Sequence, residues 1–340
     1  MLQAIMVAPG KIKFNNVPKP KPSNNEVLIK IKKIGICGSD IHVFHGVHPY
    51  TKYPVIQGHE ISGIVVEIGC QVKRFSLGEK VTIMPQITCG KCYSCRHEMY
   101  HICDSLKVMG FQADGAAQEY FCVPESNVIL LPNSMSFKAG AMIEPVSVAV
   151  HALSRVGDVD GKRILILGAG TIGNLVGQVA MSLNATAVMN SDLSDFRLNI
   201  AKKCGIDFIV NPAKENLNKA ILKNFGPDRA DIIFECVGIE STITQAISYA
   251  RKGSTIVIVG VFSKKTLIDL ALVQDHELNL IGSLMYQKKD YEKAIKLVYS
   301  NKLFPEKLIT DNFPFLSYLD AYHHIEKAKD RTMKVMISMD

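Results

Sequence analysis

The second half of this sequence alternates short apolar runs with amphipathic segments, and this rhythm constrains the fold more than any other feature. The apolar runs have the length of strands, and there are six of them, at 164–167, 185–189, 207–210, 231–234, 255–259 and 278–281. Segments between them carry apolar residues at helical spacing, as at Leu175, Val179 and Leu183. Strands that alternate with helices form parallel, doubly wound sheets. The sequence therefore predicts an α/β fold with a six-stranded parallel sheet.

A glycine-rich turn follows the first of these predicted strands and opens the first predicted helix. Its sequence, Gly-Ala-Gly-Thr-Ile-Gly at 168–173, is a weak motif alone, but here it has the strand and helix context that dinucleotide binding requires. Gly168 permits the tight turn, Gly170 lets the backbone approach a pyrophosphate, and Gly173 allows close packing of helix on strand. We predict that Gly168, Gly170, Ile172 and Gly173 contact a dinucleotide cofactor.

An acidic residue at the end of the second predicted strand indicates which dinucleotide is bound. Asp192 lies nineteen residues after Gly173, where a carboxylate accepts hydrogen bonds from a ribose diol and repels a 2′-phosphate. NAD is therefore predicted rather than NADP. Arg197, five residues further on, is the residue that would weaken this preference; its alternative role is that of a solvated helix residue.

Four cysteines in a short polar segment of the first half form the pattern Cys89-x2-Cys92-x2-Cys95-x7-Cys103. Thiolates at this spacing converge on one tetrahedral metal from a single loop, and zinc is the leading candidate. The ferredoxin type of iron–sulfur run places its fourth cysteine after three residues and before a proline, unlike this segment. Disulfides are disfavoured because the sequence has no signal peptide. Since four thiolates leave no open coordination position, the predicted zinc is structural.

The first half, up to about residue 145, has a different rhythm from the second. Short alternating apolar runs, as at 27–31, 61–66 and 120–123, are broken by Gly and Pro, which predicts a β-rich, irregular domain. A chain of 340 residues with 47% apolar and 21% charged residues buries a large core and is typical of two domains.

A second group of metal-ligand types lies in this β-rich half. It consists of Cys37, His59, Glu60 and Glu144. Each has an ordinary alternative, since single cysteines are often buried and a His-Glu pair is often part of a surface loop. Together they offer zinc a mixed ligand set with one position left for water or substrate, which is typical of a catalytic metal.

At these motifs the chain resembles the zinc-dependent medium-chain alcohol dehydrogenases over essentially its whole length. The matching motifs are Cys-Gly-Ser-Asp at 37–40, Gly-His-Glu at 58–60, the four-cysteine segment and the glycine-rich turn. Glu144 before Pro145 is typical of the polyol and sugar-acid dehydrogenase branch. The resemblance implies a GroES-like catalytic domain at 1–145, a Rossmann NAD-binding domain at 146–283, and a return to the catalytic domain at 284–340.

The resemblance also implies roles for individual residues. One zinc is structural, and the other polarises a substrate hydroxyl whose hydride passes to NAD. Ser39 takes the hydroxyl proton and His42 passes it toward solvent, although an ordinary surface histidine is the alternative for His42. Glu60 and Glu144 both remain candidates for direct zinc ligation, and whichever does not bind the metal holds its water. Asp40 is expected to support His59.

The function implied is oxidation of a secondary hydroxyl of a polyol or sugar-derived alcohol. A secondary-alcohol dehydrogenase acting on butanediol or threonine is one alternative, and a non-catalytic zinc- and NAD-binding regulatory protein is another. Some polyol dehydrogenases carry an arginine just after the last coenzyme-domain strand, where residues 282–286 read Gly-Ser-Leu-Met-Tyr. This departure favours neutral polyols or small diols over carboxylate substrates.

Charge and hydropathy restrict the remaining partners. The net charge is +7, but several of the early lysines alternate with apolar residues as on a solvated strand face, and no aromatic residues are interleaved with them, so nucleic acid is not an expected partner. With no signal peptide and no run of eighteen apolar residues, we expect no membrane association and a cytoplasmic location. The family resemblance suggests a homodimer or homotetramer that binds a small-molecule alcohol.

Overall fold

The computed structural model describes residues 1–339 and contains seventeen strands among them. The strands in chain order are β1 Leu2–Ala8, β2 Lys11–Asn16, β3 Glu26–Ile36, β4 Glu60–Ile68, β5 Lys80–Ile83, β6 Gln86–Ile87, β7 Lys107–Val108, β8 Tyr120–Pro124, β9 Val128–Leu130, β10 Arg163–Leu167, β11 Ala187–Ser191, β12 Phe208–Val210, β13 Ile232–Glu235, β14 Thr255–Ile258, β15 Asn279–Gly282, β16 Ile309–Pro314 and β17 Lys334–Ser338.

Eleven α-helices are found in the same described part of the chain. They are α1 Gly38–Phe44, α2 Tyr93–Arg96, α3 Phe137–Ala141, α4 Ile143–Ser154, α5 Thr171–Ser182, α6 Asp195–Lys203, α7 Leu217–Phe225, α8 Glu240–Tyr249, α9 Leu270–Asp275, α10 Lys288–Tyr299 and α11 Tyr318–Ala328. Short 3₁₀ turns occur at Tyr100–Ile102, Glu125–Asn127, Pro305–Leu308, Phe315–Ser317 and Lys329–Arg331. None of these helices is long and apolar enough to span a membrane.

The chain divides into two structural units. The first consists of Met1–Glu144, Gln287–Ile295 and the residues from Ile309 onward, and the second of Pro145–Tyr286 and Lys296–Leu308. The resemblance to the family implied a single return at 284–340, whereas the segment Lys296–Leu308 groups with the second unit. Hydrogen bonds account for this, because the Phe304 N–H donates to Gln178 Oε1 at 2.7 Å and Lys307 Nζ donates to the Lys203 carbonyl at 3.0 Å.

The first unit is built on a seven-stranded sheet in the order β16-β17-β3-β4-β5-β9, with β8 also paired to β3. All its pairs are antiparallel except β16 with β17. β3 is its longest strand and pairs with three others. Apolar residues of these strands, among them Ile31, Ile34, Val65 and Val81, form the core of the unit. The β-rich character predicted for the first half is therefore confirmed.

The second unit holds a parallel six-stranded sheet in the order β12-β11-β10-β13-β14-β15. All six strands predicted from the sequence are present, and their ends differ by no more than two residues from the prediction. Ile164, Leu165, Ile233 and Ile256 are fully buried, as expected for parallel strands with both faces covered. The strand order reverses between β10 and β13, which is where doubly wound sheets bind dinucleotides. The predicted Rossmann-type fold is confirmed.

Candidate functional site

The four cysteines predicted to hold a structural metal come together in the loop around α2. The Sγ atoms of Cys89, Cys92, Cys95 and Cys103 all lie within 4.8 Å of one another. The Cys89–Cys95 and Cys92–Cys103 Sγ pairs are each 3.9 Å apart. Four thiolates about 2.3 Å from one tetrahedral zinc are separated by about 3.8 Å. The spacing of the sulfurs therefore fits a zinc ion.

The electrostatics of this loop also favour a cation. Backbone N–H groups donate to the sulfurs, for example from Cys92 to Cys89 Sγ at 3.3 Å and from Ser105 to Cys103 Sγ at 3.4 Å. Hydrogen bonds from the Lys91 and Cys92 amides lower the pKa of Cys89 to about 6. Burial and the neighbouring sulfurs raise the pKa of Cys95 to about 12. A cation that binds this loop would therefore displace the proton of Cys95.

The second metal-ligand cluster is assembled by strand pairing. Cys37 follows the end of β3 and is the N-cap of α1, whereas His59 and Glu60 stand at the start of β4. The two strands are antiparallel, with Gly35 opposite Glu60. This register brings ligand atoms of Cys37, His59 and Glu60 within 4.8 Å of one another.

Buried His59 lies among negative charges. Burial lowers its pKa, but the charges of Asp40, Cys37 and Glu144 more than offset this and raise the pKa to about 10. Its Nδ1 atom lies 3.7 Å from Asp40 Oδ1 and has no hydrogen-bond partner among the described residues. Such a pocket attracts positive charge. A thiolate, an imidazole and carboxylates are the ligands of catalytic zinc, so the donor set fits that metal.

A buried lysine that the sequence analysis missed is bound to Glu60. Lys334 Nζ donates to both carboxylate oxygens, at 2.7 and 2.6 Å, and the two side chains are 3% and 1% exposed. A Cβ atom at position 35 would lie 2.1 Å from Glu60 Oε2, so Gly35 leaves the space that this carboxylate occupies. The only indication in the sequence is a lysine that opens the apolar run of β17.

Glu144 lies in the first turn of α4 and is 6% exposed. Its charge raises the pKa values of both His59 and Lys334, against the effect of their burial. Its carboxylate is not among the ligand atoms within 4.8 Å of one another. The structure therefore places Glu144 near the Cys37 cluster but outside its tightest group.

The predicted relay residues Ser39 and His42 are half-buried on α1. They are three residues apart and therefore lie on one face of the helix. Asp40, on the same helix, accepts a hydrogen bond from the Cys37 N–H at 2.9 Å, which fixes the start of α1 next to the Cys37 sulfur. The helix thus places the relay residues directly after a candidate metal ligand.

The aromatic ring of Phe111, which was not predicted from the sequence as part of the site, lies beside His59. The Phe111 ring is 4.9 Å from the His59 ring and stacks on His48 at 4.9 Å with an interplanar angle of 13°. Burial, together with the charges of His42 and His59, lowers the pKa of His48. Phe111 follows a Met-Gly pair in an irregular loop, where no local pattern distinguishes it from a core residue.

In the second unit, the glycine-rich turn has the geometry that its sequence predicts. Gly168 has φ +99°, in the region that favours glycine. A Cβ atom on Gly173 would lie 1.9 Å from the Gly168 carbonyl oxygen, whereas one on Gly170 would meet nothing within 4 Å. Gly170 is the N-cap of α5, and half-buried Ile172 lies in the first turn. The open space therefore lies at a helix N-terminus, where phosphates bind.

Asp192 is anchored to this turn. Its Oδ2 accepts a hydrogen bond from the Ala169 N–H at 2.7 Å, and its Oδ1 accepts one from the Ser194 N–H at 2.8 Å. Arg197 is half-buried in the first turn of α6, and its Nε is buried with no hydrogen-bond partner among residues 1–339. The carboxylate predicted to hold a ribose is therefore fixed beside the predicted pyrophosphate site.

A nucleotide-binding parallel sheet, a four-thiolate loop and a mixed-ligand cluster in one chain define a metal-dependent dehydrogenase. Residues 23–133 match the alcohol dehydrogenase GroES-like domain, and residues 171–300 match the zinc-binding dehydrogenase family. The chain therefore belongs to the zinc-dependent medium-chain alcohol dehydrogenases, as the sequence motifs predicted, and is an oxidoreductase that uses zinc and a nicotinamide cofactor.

Individual relatives extend this result to nearly the whole chain. Sorbitol dehydrogenase of Bacillus subtilis is 31% identical over 99% of this chain and 97% of its own length. D-xylulose reductase of Saccharomyces cerevisiae is 35% identical over 98% and 96%. A solved structure, a putative zinc-binding dehydrogenase of Sinorhizobium meliloti bound to NADP, gives a TM-score of 0.93 at 30% identity and covers 99% of this chain and 98% of its own.

Proposed function

We propose that this protein oxidises a secondary hydroxyl of a neutral polyol or a related sugar alcohol by transferring its hydride to NAD. The observation that carries the proposal is the convergence of Cys37, His59 and Glu60, with the Glu144 charge acting on His59, at the start of the helix that bears Ser39 and His42. The names of the relatives, a sorbitol dehydrogenase and a D-xylulose reductase, support the substrate class.

We assign Cys37, His59 and Glu144 as the protein ligands of the catalytic zinc. Both oxygens of Glu60 are held by Lys334, so a zinc bound to Glu60 would compete with the lysine for this carboxylate. When bound, zinc polarises the substrate hydroxyl and lowers its pKa. Glu60 and Lys334 then form a neutral pair behind the ligands, and the charges of Cys37 and Glu144 balance the metal.

The proton leaves through α1 in this proposal. Ser39 Oγ accepts the proton of the substrate hydroxyl as it releases its own, and the imidazole of His42 passes a proton on to solvent. Both side chains are half-buried, so they have access to solvent as well as to the helix start at Cys37. The Phe111 ring beside His59 supplies an apolar surface that excludes water from this part of the site.

The coenzyme assignment rests on Asp192 and the glycine-rich turn. The open space at Gly170 suits the pyrophosphate, and the anchored Asp192 carboxylate suits the ribose diol and repels a 2′-phosphate. NAD is therefore proposed over NADP. Arg197 would weaken this preference, because it lies on the helix that follows Asp192 and its positive charge would attract the 2′-phosphate of NADP.

We also propose a homodimer or homotetramer and a cytoplasmic location. Strand β15 is at one end of the sheet of the second unit. The segments before and after it in the chain contain four apolar residues that are at least half exposed, Val261, Leu267, Leu270 and Leu284. Edge strands and exposed apolar patches are typical of association surfaces. A four-thiolate loop requires reduced cysteines, which a reducing compartment maintains. Light scattering on the purified protein tests the assembly, and a monomer would contradict it.

The function is tested by following NADH formation with a panel of alcohols. The panel contains sorbitol, xylitol, aldonic acids, 2,3-butanediol, threonine and ethanol. A site that hydrogen-bonds several hydroxyls rejects substrates that lack them by large factors, whereas an apolar pocket discriminates by only about 1–3 kcal/mol per methylene. We expect the polyols to give the highest kcat/KM. A flat profile, or a preference for ethanol, would contradict the proposal, and a preference for butanediol or threonine would support the alternative secondary-alcohol activity.

A further inference from the structure

A chain of buried polar side chains leads from the C-terminal helix α11 to His59. The Tyr322 hydroxyl donates to Gln57 Oε1 at 2.7 Å, and Gln57 Nε2 donates to Asp40 Oδ1 at 3.2 Å. Asp40 Oδ1 in turn lies 3.7 Å from His59 Nδ1. Tyr322, Gln57 and Asp40 are each 1% exposed and His59 is 4% exposed. Tyr322 and Gln57 are 265 residues apart in the sequence and belong to none of the metal-ligand motifs.

Hydrogen bonds on both sides of the Gln57 amide, from Tyr322 and to Asp40, fix which end of it faces Asp40. An amide side chain has an accepting oxygen and a donating NH₂ group. Because the Tyr322 hydroxyl donates to the oxygen, the NH₂ group is turned toward Asp40, where it also lies 3.3 Å from the Asp40 carbonyl oxygen. The reversed amide would place its oxygen against the carboxylate, and the two acceptors would repel each other.

The contact with Gln57 involves the same carboxylate oxygen that faces the histidine. Asp40 Oδ2 is fixed by the Cys37 N–H at 2.9 Å, while Oδ1 accepts from Gln57 Nε2 and faces His59 Nδ1 at 3.7 Å. His59 Nδ1 has no hydrogen-bond partner among the described residues, and a small movement of either side chain would bring Asp40 Oδ1 within hydrogen-bond distance of it. An acceptor at Nδ1 fixes the tautomer that leaves Nε2 for a metal. The position of Oδ1 therefore affects how well His59 serves as a ligand.

The ring of Tyr322 is held in place on the helix that carries Asp40. It stacks on Phe44, the last residue of α1, with centroids 4.6 Å apart and an interplanar angle of 8°, and Tyr318 packs edge-on against it at 5.7 Å. The hydroxyl of Tyr322 is thus rigidly placed relative to Asp40. A hydrogen bond from a flexible side chain would not fix the position of Gln57 in this way.

We propose that Tyr322 and Gln57 are positioning residues that hold Asp40 Oδ1 against His59 Nδ1 and thereby set the zinc affinity of the Cys37–His59 centre. They contact neither the substrate nor the metal and act through Asp40. The inference rests on the proposed function, in which His59 is a zinc ligand. It adds Gln57 and Tyr322 of helix α11 to Asp40 as residues that orient His59.

The experiment compares zinc-loaded full-length protein with its Tyr322→Phe and Gln57→Met variants. Tyr291→Phe is the matched control, because it also removes one buried hydroxyl, which donates to the Ile83 carbonyl at 2.9 Å in the same structural unit. The measurements are the rate at which a chromogenic chelator removes the more labile zinc, the visible spectrum after Co²⁺ replaces that zinc, and kcat and KM.

We expect Tyr322→Phe to release the labile zinc about 3–10-fold faster, since loss of the groups that orient a ligand weakens metal binding. The cobalt bands should shift and kcat should fall with little change in KM, whereas Tyr291→Phe should match the parent. If both residues act through Asp40, adding Tyr322→Phe to Gln57→Met should have no further effect.

Two results would overturn the inference. One is a Tyr322→Phe protein whose zinc release and cobalt spectrum equal those of Tyr291→Phe, and the other is full additivity of the Tyr322 and Gln57 substitutions. A parent protein that holds no labile zinc, or that reduces no NAD with any alcohol, would refute the proposed function together with this inference. If the parent protein holds two zincs and oxidises alcohols normally, either of the first two results would refute only the role of Tyr322 and Gln57 and would leave the proposed function standing.

Discussion

At the scale of single residues, the candidate metal centre is organised by buried charges that compensate one another. Burial raises the pKa of Asp40, while the charge of His59 and the hydrogen bond from the Cys37 N–H act in the opposite direction. Glu60 is balanced by Lys334, which is buried beside it. Removing one member of such a pair leaves an uncompensated buried charge, which costs several kcal/mol. Substitutions that keep the size of the side chain and leave no buried charge unpaired should therefore disturb this centre least.

The proton relay gives the first prediction at this scale. Ser39→Ala should lower kcat about 100-fold or more, because it removes the acceptor of the hydroxyl proton, and His42→Ala should lower it about 10-fold, since solvent replaces the end of a relay. Added imidazole should partly restore the His42→Ala enzyme. Steady-state kinetics with zinc analysis measures these effects. The control is His45→Ala, an exposed histidine paired with Glu326; unchanged kcat in Ser39→Ala would remove Ser39 from the mechanism.

Coenzyme choice is a second prediction that depends on one side chain. Asp192→Ala should weaken NAD binding by about 10- to 100-fold, because a charge-assisted hydrogen bond contributes about 1.5–3 kcal/mol, and should narrow the preference over NADP. Titration of both dinucleotides by fluorescence measures this. Asp195→Ala is the control, since that carboxylate is exposed and binds Lys214 and Asn211. Equal affinity of the unmodified protein for NAD and NADP would contradict the assignment.

At the scale of secondary structure, β13 is tied to its neighbours by a charged residue that precedes it. Asp231 accepts hydrogen bonds from the Arg163 N–H at 2.8 Å and from Arg251 Nη2 at 2.5 Å. Burial raises the pKa of Asp231, but the donors of Arg163 and Arg251 outweigh it, so the pKa lies below its usual value. The start of β10, the start of β13 and the end of α8 are thereby joined.

This contact predicts a pH-dependent contribution to stability. A carboxyl group whose pKa is lower in the folded state stabilises the fold above its unfolded pKa, and the contribution is lost as the pH falls through the folded value. Asp231→Asn should therefore lower the free energy of unfolding by about 1–3 kcal/mol at neutral pH. The difference from the parent should shrink below a pH of about 4.

Urea denaturation across a pH series measures the effect. Asp228→Asn is the matched control, because Asp228 also approaches Arg163, at 3.7 Å, but is 75% exposed, and exposed ion pairs contribute little. A loss of stability in Asp231→Asn that is the same at every pH would show that the carboxylate charge has no part in it.

At the scale of the whole molecule, the two metal sites differ in what they stabilise. The four-cysteine loop contains only the short α2 and a 3₁₀ turn, and Tyr93 within it is exposed, so few apolar contacts order it. The Cys37–His59 centre instead lies on the paired strands β3 and β4, whose apolar residues form a core. We therefore expect a metal held by the four cysteines to stabilise the loop, and a metal at the Cys37–His59 centre to contribute less to the fold.

The fourth prediction is that the purified protein holds two zincs of unequal lability. A closed four-thiolate shell exchanges slowly, and a mixed shell with an open position exchanges faster. Mild chelation should therefore abolish activity before it changes the circular dichroism spectrum. Cys37→Ala should retain one zinc and its helicity, whereas Cys103→Ala should lower the unfolding temperature. Iron in the metal analysis, or one zinc per chain with full activity, would contradict the assignment.

The sequence alone predicted the parts of this protein that local patterns encode. Apolar periodicity identified all six parallel strands, and the cysteine spacing identified a loop whose sulfurs converge, because in both cases the residues that interact lie close together in the chain. The glycine-rich turn at 168–173 was identified for the same reason, since it joins one strand, β10, directly to the helix that follows it, α5.

Only the tertiary structure decided which distant residues complete the Cys37–His59 centre. The register of β3 on β4 brings Cys37 to His59 and Glu60, and pairing of β17 with β3 delivers Lys334 to the Glu60 carboxylate. Tyr322 reaches Gln57 only because α11 packs against α1 through Phe44. Apart from the lysine that opens the apolar run of β17, no local pattern marks these contacts. They arise from strand register and helix packing, which depend on how the whole core is buried rather than on local propensity.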